Sequence, residues 1–349
     1  MLSIEEIRAL AEVNPEFAPI LNSGSPLLAS WDSTTNIPQV RAMIQAAKAP
    51  QPDPATLPYL QEDIRIPVRD GRTVAVRVYK PRAAAEEEQD SSSSSSPTAG
   101  GGGRPGLVVF HGGGYAVGDL DTETWLCALF VTQLGGVAVN VDYRLAPEHV
   151  FPAAVEDAFD ATRWMAQNVQ SLGIDPAKGF LVGGESSGAD MALVVAHMYL
   201  HDGQQQSPPL TGVYAAIPGA VNNETVPDKC RDRFISLEQC AEAPVLSKAS
   251  MEFIWKNHQV DPHSPLAFPL AFPSSVRASL PKTYFQICGL DPVRDCGLLP
   301  EQVFRDEGVE TGRHVYPGMP HAFWALFPDL EVSARQRRDA EEGLRWLLS

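Results

Sequence analysis

From residue 105 onward, short apolar runs alternate with segments of helical periodicity, and this alternation restricts the chain more than any other feature. Leu107–Phe110, Val137–Val141, Gly179–Val182, Leu210–Ala216, Thr283–Cys288 and Gly312–Tyr316 read as strands. Between them Thr124–Leu134, Pro152–Ser171, Ala189–Leu200, Glu301–Glu307 and a terminal stretch at about 330–348 read as helices. Gly135-Gly136 closes the first of these helices, and Pro152 suits the first turn of the second. Fully apolar strands separated by helices predict an α/β fold, a mostly parallel central sheet with helices on both faces. Two further extended runs, Asp63–Arg69 and Thr73–Lys80, are split by Asp70-Gly71, a hairpin signal.

Two regions depart from the pattern. Residues 218–280 hold helical runs at Leu237–Ala241 and Lys248–His258 without strands, followed by prolines at 262, 265, 269 and 273. They read as an inserted helical cap over the site. Residues 1–60, with Ile4, Ile7, Leu10 and Ala11 at helical spacing, read as its N-terminal part. The catalytic domain is then 61–217 and 281–349. Within it, residues 83–104 carry Glu86-Glu87-Glu88, six serines at 91–96 and glycines at 100–103. Such a tract buries too little apolar surface to offset ordering, and is expected to be a disordered surface loop between strands.

Composition removes several function classes. With 44% hydrophobic residues the chain can build a large core, but a formal net charge of -16 repels nucleic-acid backbones and anionic lipid. The five cysteines, Cys127, Cys230, Cys240, Cys288 and Cys296, lack metal-ligand or disulfide-framework spacing and read as packing residues. MLSIEEIRAL has no basic start before an apolar run, and no stretch reaches the ~18 apolar residues of a spanning helix. A cytoplasmic protein without a membrane span is expected, with no cofactor and no metal.

Four motifs carry chemistry. Gly184-Glu185-Ser186-Ser187-Gly188 lies between a strand run and a helix run, the context in which a sharp turn exposes a serine hydroxyl as a nucleophile. The helix N-terminus behind it favours developing negative charge. His111-Gly112-Gly113-Gly114 follows the apolar strand 107–110, and its bare backbone N–H groups can approach an oxyanion. No Lys-Ser/Thr pair follows, which removes a P-loop, and His111 is read as an orienter of this loop. Asp291 sits at the end of the strand closing near Cys288, where a carboxylate can orient a histidine. Asp295, four residues later, is read as a cap for the next helix. His321, in Gly318-Met319-Pro320-His321-Ala322-Phe323, follows both Ser186 and Asp291 in a loop after the last strand run, whereas His314, which also follows them, falls inside that run.

With Asp142–Glu148 and Phe151–Ala154 added, these segments resemble the hormone-sensitive-lipase-like family of α/β-hydrolase esterases, which includes arylacetamide-deacetylase-like enzymes. The resemblance covers roughly residues 60–345. It implies an α/β-hydrolase fold, a triad of Ser186, Asp291 and His321, an oxyanion hole from the N–H groups of Gly112, Gly113 and Ser187, and a small-molecule ester as substrate. It also implies that Asp142–Glu148 is a structural stretch beside the glycine loop. The chain departs from the family pattern at Glu185-Ser186-Ser187, where Asp-Ser-Ala is usual. Ala189-Asp190 replaces Gly-Asn, and His321-Ala322-Phe323 replaces His-Gly-Phe. These departures bear on pocket shape and leave every catalytic group in place.

The expected reaction is hydrolysis of a carboxylic ester through an acyl-enzyme. The same serine chemistry serves acyl transfer or thioester release, where only the acceptor differs. A non-catalytic ligand-binding receptor on this fold stands further back, because His321 is present. Dehydratase relatives carry a changed glycine loop, and His111–Gly114 is unchanged.

Overall fold

A computed structural model of the protein describes residues 2–50, 52–82, 103–201 and 207–349. Eight strands form one sheet: β1 (Tyr59–Pro67), β2 (Thr73–Pro81), β3 (Gly106–Phe110), β4 (Val137–Asp142), β5 (Phe180–Glu185), β6 (Gly212–Ala216), β7 (Lys282–Cys288) and β8 (Thr311–Tyr316). Their order is β1-β2-β4-β3-β5-β6-β7-β8. The β1–β2 and β2–β4 pairs are antiparallel, and every pair from β4 to β8 is parallel. β1 and β2 are joined through Asp70-Gly71, where Gly71 has φ +81° and donates its N–H to Val68 O.

The central strands are buried on both sides, and successive residues serve opposite faces. Val108 and Phe110 of β3 join one apolar cluster with the helices Ala153–Gln167, Ser187–His201 and Arg294–Asp306. Leu107 and Val109 join the other, with the helices Thr124–Leu134 and Glu331–Leu347. All five cysteines are buried and free. Among the described residues no helix is long and apolar enough to cross a membrane.

Several boundaries differ from the sequence reading. β1 begins at Tyr59, four residues early, and β5 runs on to Glu185, so that the strand leads straight into the serine turn without a linker. The helix after Pro152 stops at Gln167, and a separate turn covers Val169–Leu172. The helix expected at Glu301–Glu307 begins at Arg294 and passes through Gly297 and Pro300. A Cβ on Gly297 would lie 2.8 Å from Ile287 Cγ1, so the glycine permits close helix–strand packing. Of the tract 83–104, residues 83–102 lie outside the described residues. Arg104 at its end is held, donating its N–H to Gly173 O and its Nη1 to Gly135 O.

Between β6 and β7 run the helices Ser236–Gln239, Lys248–His258 and Ser274–Arg277. The N-terminal region, with helices Ile4–Ala9, Ala18–Leu21 and Ile37–Ala47, packs beside this insertion. Ser250 Oγ donates to Trp31 O, and Val245 N–H to Leu28 O. Arg41 reaches the other way, donating to Ala116 O and Ala146 O and pairing with Glu148 through both carboxylate oxygens.

Candidate active site

Ser186 stands between the end of β5 and the first residue of the helix Ser187–His201. Its φ of +52° is left-handed, a conformation costing a non-glycine residue roughly 1–3 kcal/mol. The surroundings impose it. The Ser186 N–H donates to Ala216 O at 2.8 Å on β6. A Cβ on Gly188 would sit 1.9 Å from Phe110 O, so the helix can start this close to β3 only with glycine there.

β7 ends at Cys288, and two backbone bonds tie its following loop to that after β8: Gly289 N–H to Tyr316 O, and Leu290 N–H to Met319 O. These bonds bring Asp291 to His321. His321 Nδ1 lies 2.7 Å from Asp291 Oδ2, and His321 Nε2 lies 2.9 Å from Ser186 Oγ. Asp291 is fully buried and also accepts the Val293 N–H, while Ser186 is half-buried. The three residues expected as a triad are thus one connected chain of hydrogen-bonding atoms. Ala322, where the family has glycine, holds φ +52°.

The glycine loop departs from expectation at one position. Gly112 was expected to donate to an oxyanion, but its N–H donates to Glu123 Oε1 at 3.0 Å. That group is occupied by the protein itself. Among the described residues the N–H groups of Gly113, Gly114 and Ser187 have no acceptor, and Gly114 and Ser187 line the cavity beside Ser186. Gly113 has φ +121°, and a Cβ there would lie 2.2 Å from Val117 O. His111 is fully buried, its ring stacked 4.1 Å from that of Tyr143 and its Nδ1 2.8 Å from Gly112 O. Burial pushes its imidazole down to about 4, so it stays neutral beside the loop. Tyr143 OH donates to His111 O, and Arg144 pairs with buried Asp157, so the Asp142–Glu148 stretch braces the loop from behind.

Asp295 also departs from expectation. It lies inside the first turn of its helix and caps a different segment, accepting the N–H groups of Ile235 and Ser236 at 2.8 and 2.6 Å. Arg294 pairs with it in full burial. It locks the insertion onto the loop that carries Asp291.

Three acidic side chains around the site make contacts that the sequence does not reveal. Glu123 holds Gly112, and burial pushes its carboxyl up to about 7. Glu185, next to the serine, accepts Trp324 Nε1–H at 3.0 Å; burial and the charge of Glu123 raise it well above the ordinary range. Asp190 lines the cavity and accepts the Gly219 N–H and the Tyr115 hydroxyl, its carboxyl pushed up to about 7 by burial. Glu185 and Asp190 stand out in the sequence as departures from the family pattern, Glu123 does not, and the contacts of all three come from the fold. The remaining wall comes from the insertion through Leu246, Met251, Ile254 and Trp255, around a cavity of about 30 Å³. Trp255 also lines a second cavity of about 270 Å³, with Asn222, Leu237 and Phe268.

Comparison with known proteins agrees with this architecture. The α/β hydrolase fold family matches residues 107–325. An AB hydrolase superfamily protein of Schizosaccharomyces pombe is 33% identical over 97% of this chain and 94% of its own length. The versiconal hemiacetal acetate esterase of Dothistroma septosporum is 38% identical over 68% of this chain and 72% of its own. Among solved structures, vibralactone cyclase superposes with a TM-score of 0.82 at 32% identity, covering 97% of this chain and 96% of its own.

Proposed function

The chain belongs to the hormone-sensitive-lipase-like family of α/β-hydrolase esterases, and from that premise we propose that it cleaves small-molecule carboxylic esters through an acyl-enzyme on Ser186. The observation that carries this reading is the unbroken relay from Asp291 through His321 to Ser186, at 2.7 and 2.9 Å. In it, His321 Nε2 takes the hydroxyl proton as Ser186 Oγ bonds to the ester carbonyl carbon. The Asp291 carboxylate accepts the Nδ1–H and stabilises the imidazolium that forms. The carbonyl oxygen becomes an oxyanion, and Gly113, Gly114 and Ser187 are the donors we assign to it; Gly112 is excluded by its bond to Glu123. Collapse breaks the bond to the alcohol oxygen, which takes the proton from His321. Water, activated by the same histidine, then releases the acid.

Two further assignments follow. The insertion at 218–280 and the N-terminal region serve as a cap, because Leu246, Met251, Ile254 and Trp255 close the cavity over Ser186. Water is the acyl acceptor, in preference to an alcohol or thiol, since the similar fungal protein is named as an esterase.

The test is turnover of 4-nitrophenyl esters, from acetate to octanoate, by the wild type and Ser186→Ala. The variant is expected to lose turnover by a factor on the order of 10⁶ while its fold, followed by circular dichroism, is unchanged. Hydrolysis by Ser186→Ala at near wild-type rate overturns the assignment.

A further inference from the structure

Resting on that reading of the site, we propose that Asp190 is a specificity-determining residue whose carboxyl selects esters bearing a hydroxyl a few bonds from the scissile carbonyl or oxygen. Asp190 lies in the first turn of the helix that opens after Ser186, its N–H donating to Ser186 O, and its side chain lines the same cavity as Ser186. It is only 7% exposed, and that exposure opens into the cavity shared with Ser186 and His321.

Its bonding is incomplete in a way that points to a ligand. Oδ1 accepts the Gly219 N–H at 2.6 Å and Oδ2 accepts the Tyr115 hydroxyl at 3.2 Å. Each oxygen of a carboxyl offers about two acceptor sites, so one site on each remains open. Among the described residues no cation faces it. The other walls near it, Leu246, Met251, Ile254 and Val293, are apolar. Away from Ser186, Ser187, His321 and its own partner Tyr115, Asp190 is thus the polar group on a largely apolar wall, where a buried acceptor left without a donor is penalised and one that meets a substrate hydroxyl is relieved.

The size of the enclosure sets the reach. A volume of about 30 Å³ is more than the 10–15 Å³ that admits one water-sized group, so it admits about two or three heavy atoms. A hydroxyl on the second or third atom out fits that space. Burial that pushes the Asp190 carboxyl up to about 7 also favours a neutral hydroxyl as the partner over an ammonium group, which requires the ionised form.

The test uses isosteric pairs on the full-length protein. For the acyl side the pair is 4-nitrophenyl 3-hydroxybutyrate and 4-nitrophenyl 3-methylbutyrate. For the alcohol side it is 2-hydroxypropyl acetate and 2-methylpropyl acetate, followed by acid release. The wild type is expected to prefer the hydroxyl member of one pair by about 10- to 100-fold in kcat/KM. In Asp190→Asn and Asp190→Val that ratio falls by tenfold or more. A carboxyl that only braced Gly219 and Tyr115 would lower both members alike and leave the ratio unmoved, which overturns the proposal. So does a wild type that favours the methyl member of both pairs. Absence of turnover on all four esters by the folded protein sinks the parent esterase reading instead.

Discussion

The cavity beside Ser186 has two walls of different construction. The sheet-borne wall holds the glycine loop, the serine turn, Asp291 and His321, and hydrogen bonds cross between its parts at each step. Ser186 is tied to β6, Gly112 to Glu123, and the loop after β7 to the loop after β8. The insertion wall presents Leu246, Met251, Ile254 and Trp255, and it is anchored at its edges, by Ser250 to Trp31 and by Phe151 N–H to His258 O. One wall is built to fix directions and the other to fill space. Changes in the first should therefore cost orders of magnitude in rate, and changes in the second should move substrate preference.

The largest effect that separates the walls is expected from Asp291→Asn. It keeps the shape but removes the carboxylate that sets the His321 tautomer and stabilises imidazolium, and kcat is expected to fall by about 10⁴. Steady-state kinetics on 4-nitrophenyl acetate measure it. An unchanged rate would move the acid role to another carboxylate and dissolve the contrast.

Next comes the support of the glycine loop. Glu123→Ala frees Gly112 and lets Gly113 and Gly114 shift, and kcat/KM is expected to fall by about 10²-fold although Glu123 touches no substrate. Glu123→Gln keeps an acceptor for Gly112 and should recover most of that loss. The same variant has a pH signature. The folded protein holds the Glu123 proton up to about pH 7, against an ordinary value of 4.5. This residue's contribution to wild-type stability is thus fully present below about pH 4.5, declines as pH rises, and is lost above about 7. Glutamine carries no such loss, so Glu123→Gln gains stability relative to wild type between pH 5 and pH 8. Urea unfolding at the two pH values checks the sign; a gap that shrinks toward pH 8 counts against the buried ionisation.

The smallest effect lies on the insertion wall. Trp255→Ala should open the 30 Å³ cavity into the 270 Å³ cavity on its far side. The preferred acyl chain is expected to lengthen, while kcat/KM for acetate changes by less than about tenfold. A chain-length profile that keeps its maximum would show that Trp255 does not divide the two spaces. A 10³-fold loss on acetate would show that the two walls are not distinct in kind.

What the sequence made legible follows the same division. Ser186, Asp291 and His321 could be named because each follows a strand run and their order along the chain is informative. The phase of the glycine loop could not be read. Which N–H groups face a substrate depends on Glu123, eleven residues from Gly112, and no pattern links the two. Asp295 was misassigned because a carboxylate near a helix start suggests a cap of that helix. Its real partners, Ile235 and Ser236, are some sixty residues away. Gly297 and Pro300 concealed the first half of a helix, since both resemble breakers until close packing on Ile287 supplies the reason for the glycine. The insertion's cavity-lining residues were invisible for a simpler reason: apolar residues at helical spacing look alike whether they face a core or a substrate.

Covalent labelling tests Ser186 Oγ as the nucleophile without assuming any ester. The native protein would be treated with a small alkyl fluorophosphonate and its peptides mapped by mass spectrometry. One adduct per chain is expected, on Ser186, with no label on Ser186→Ala and slowed labelling of Asp291→Asn. Stoichiometric label on any other residue, or undiminished labelling of Ser186→Ala, would contradict that assignment.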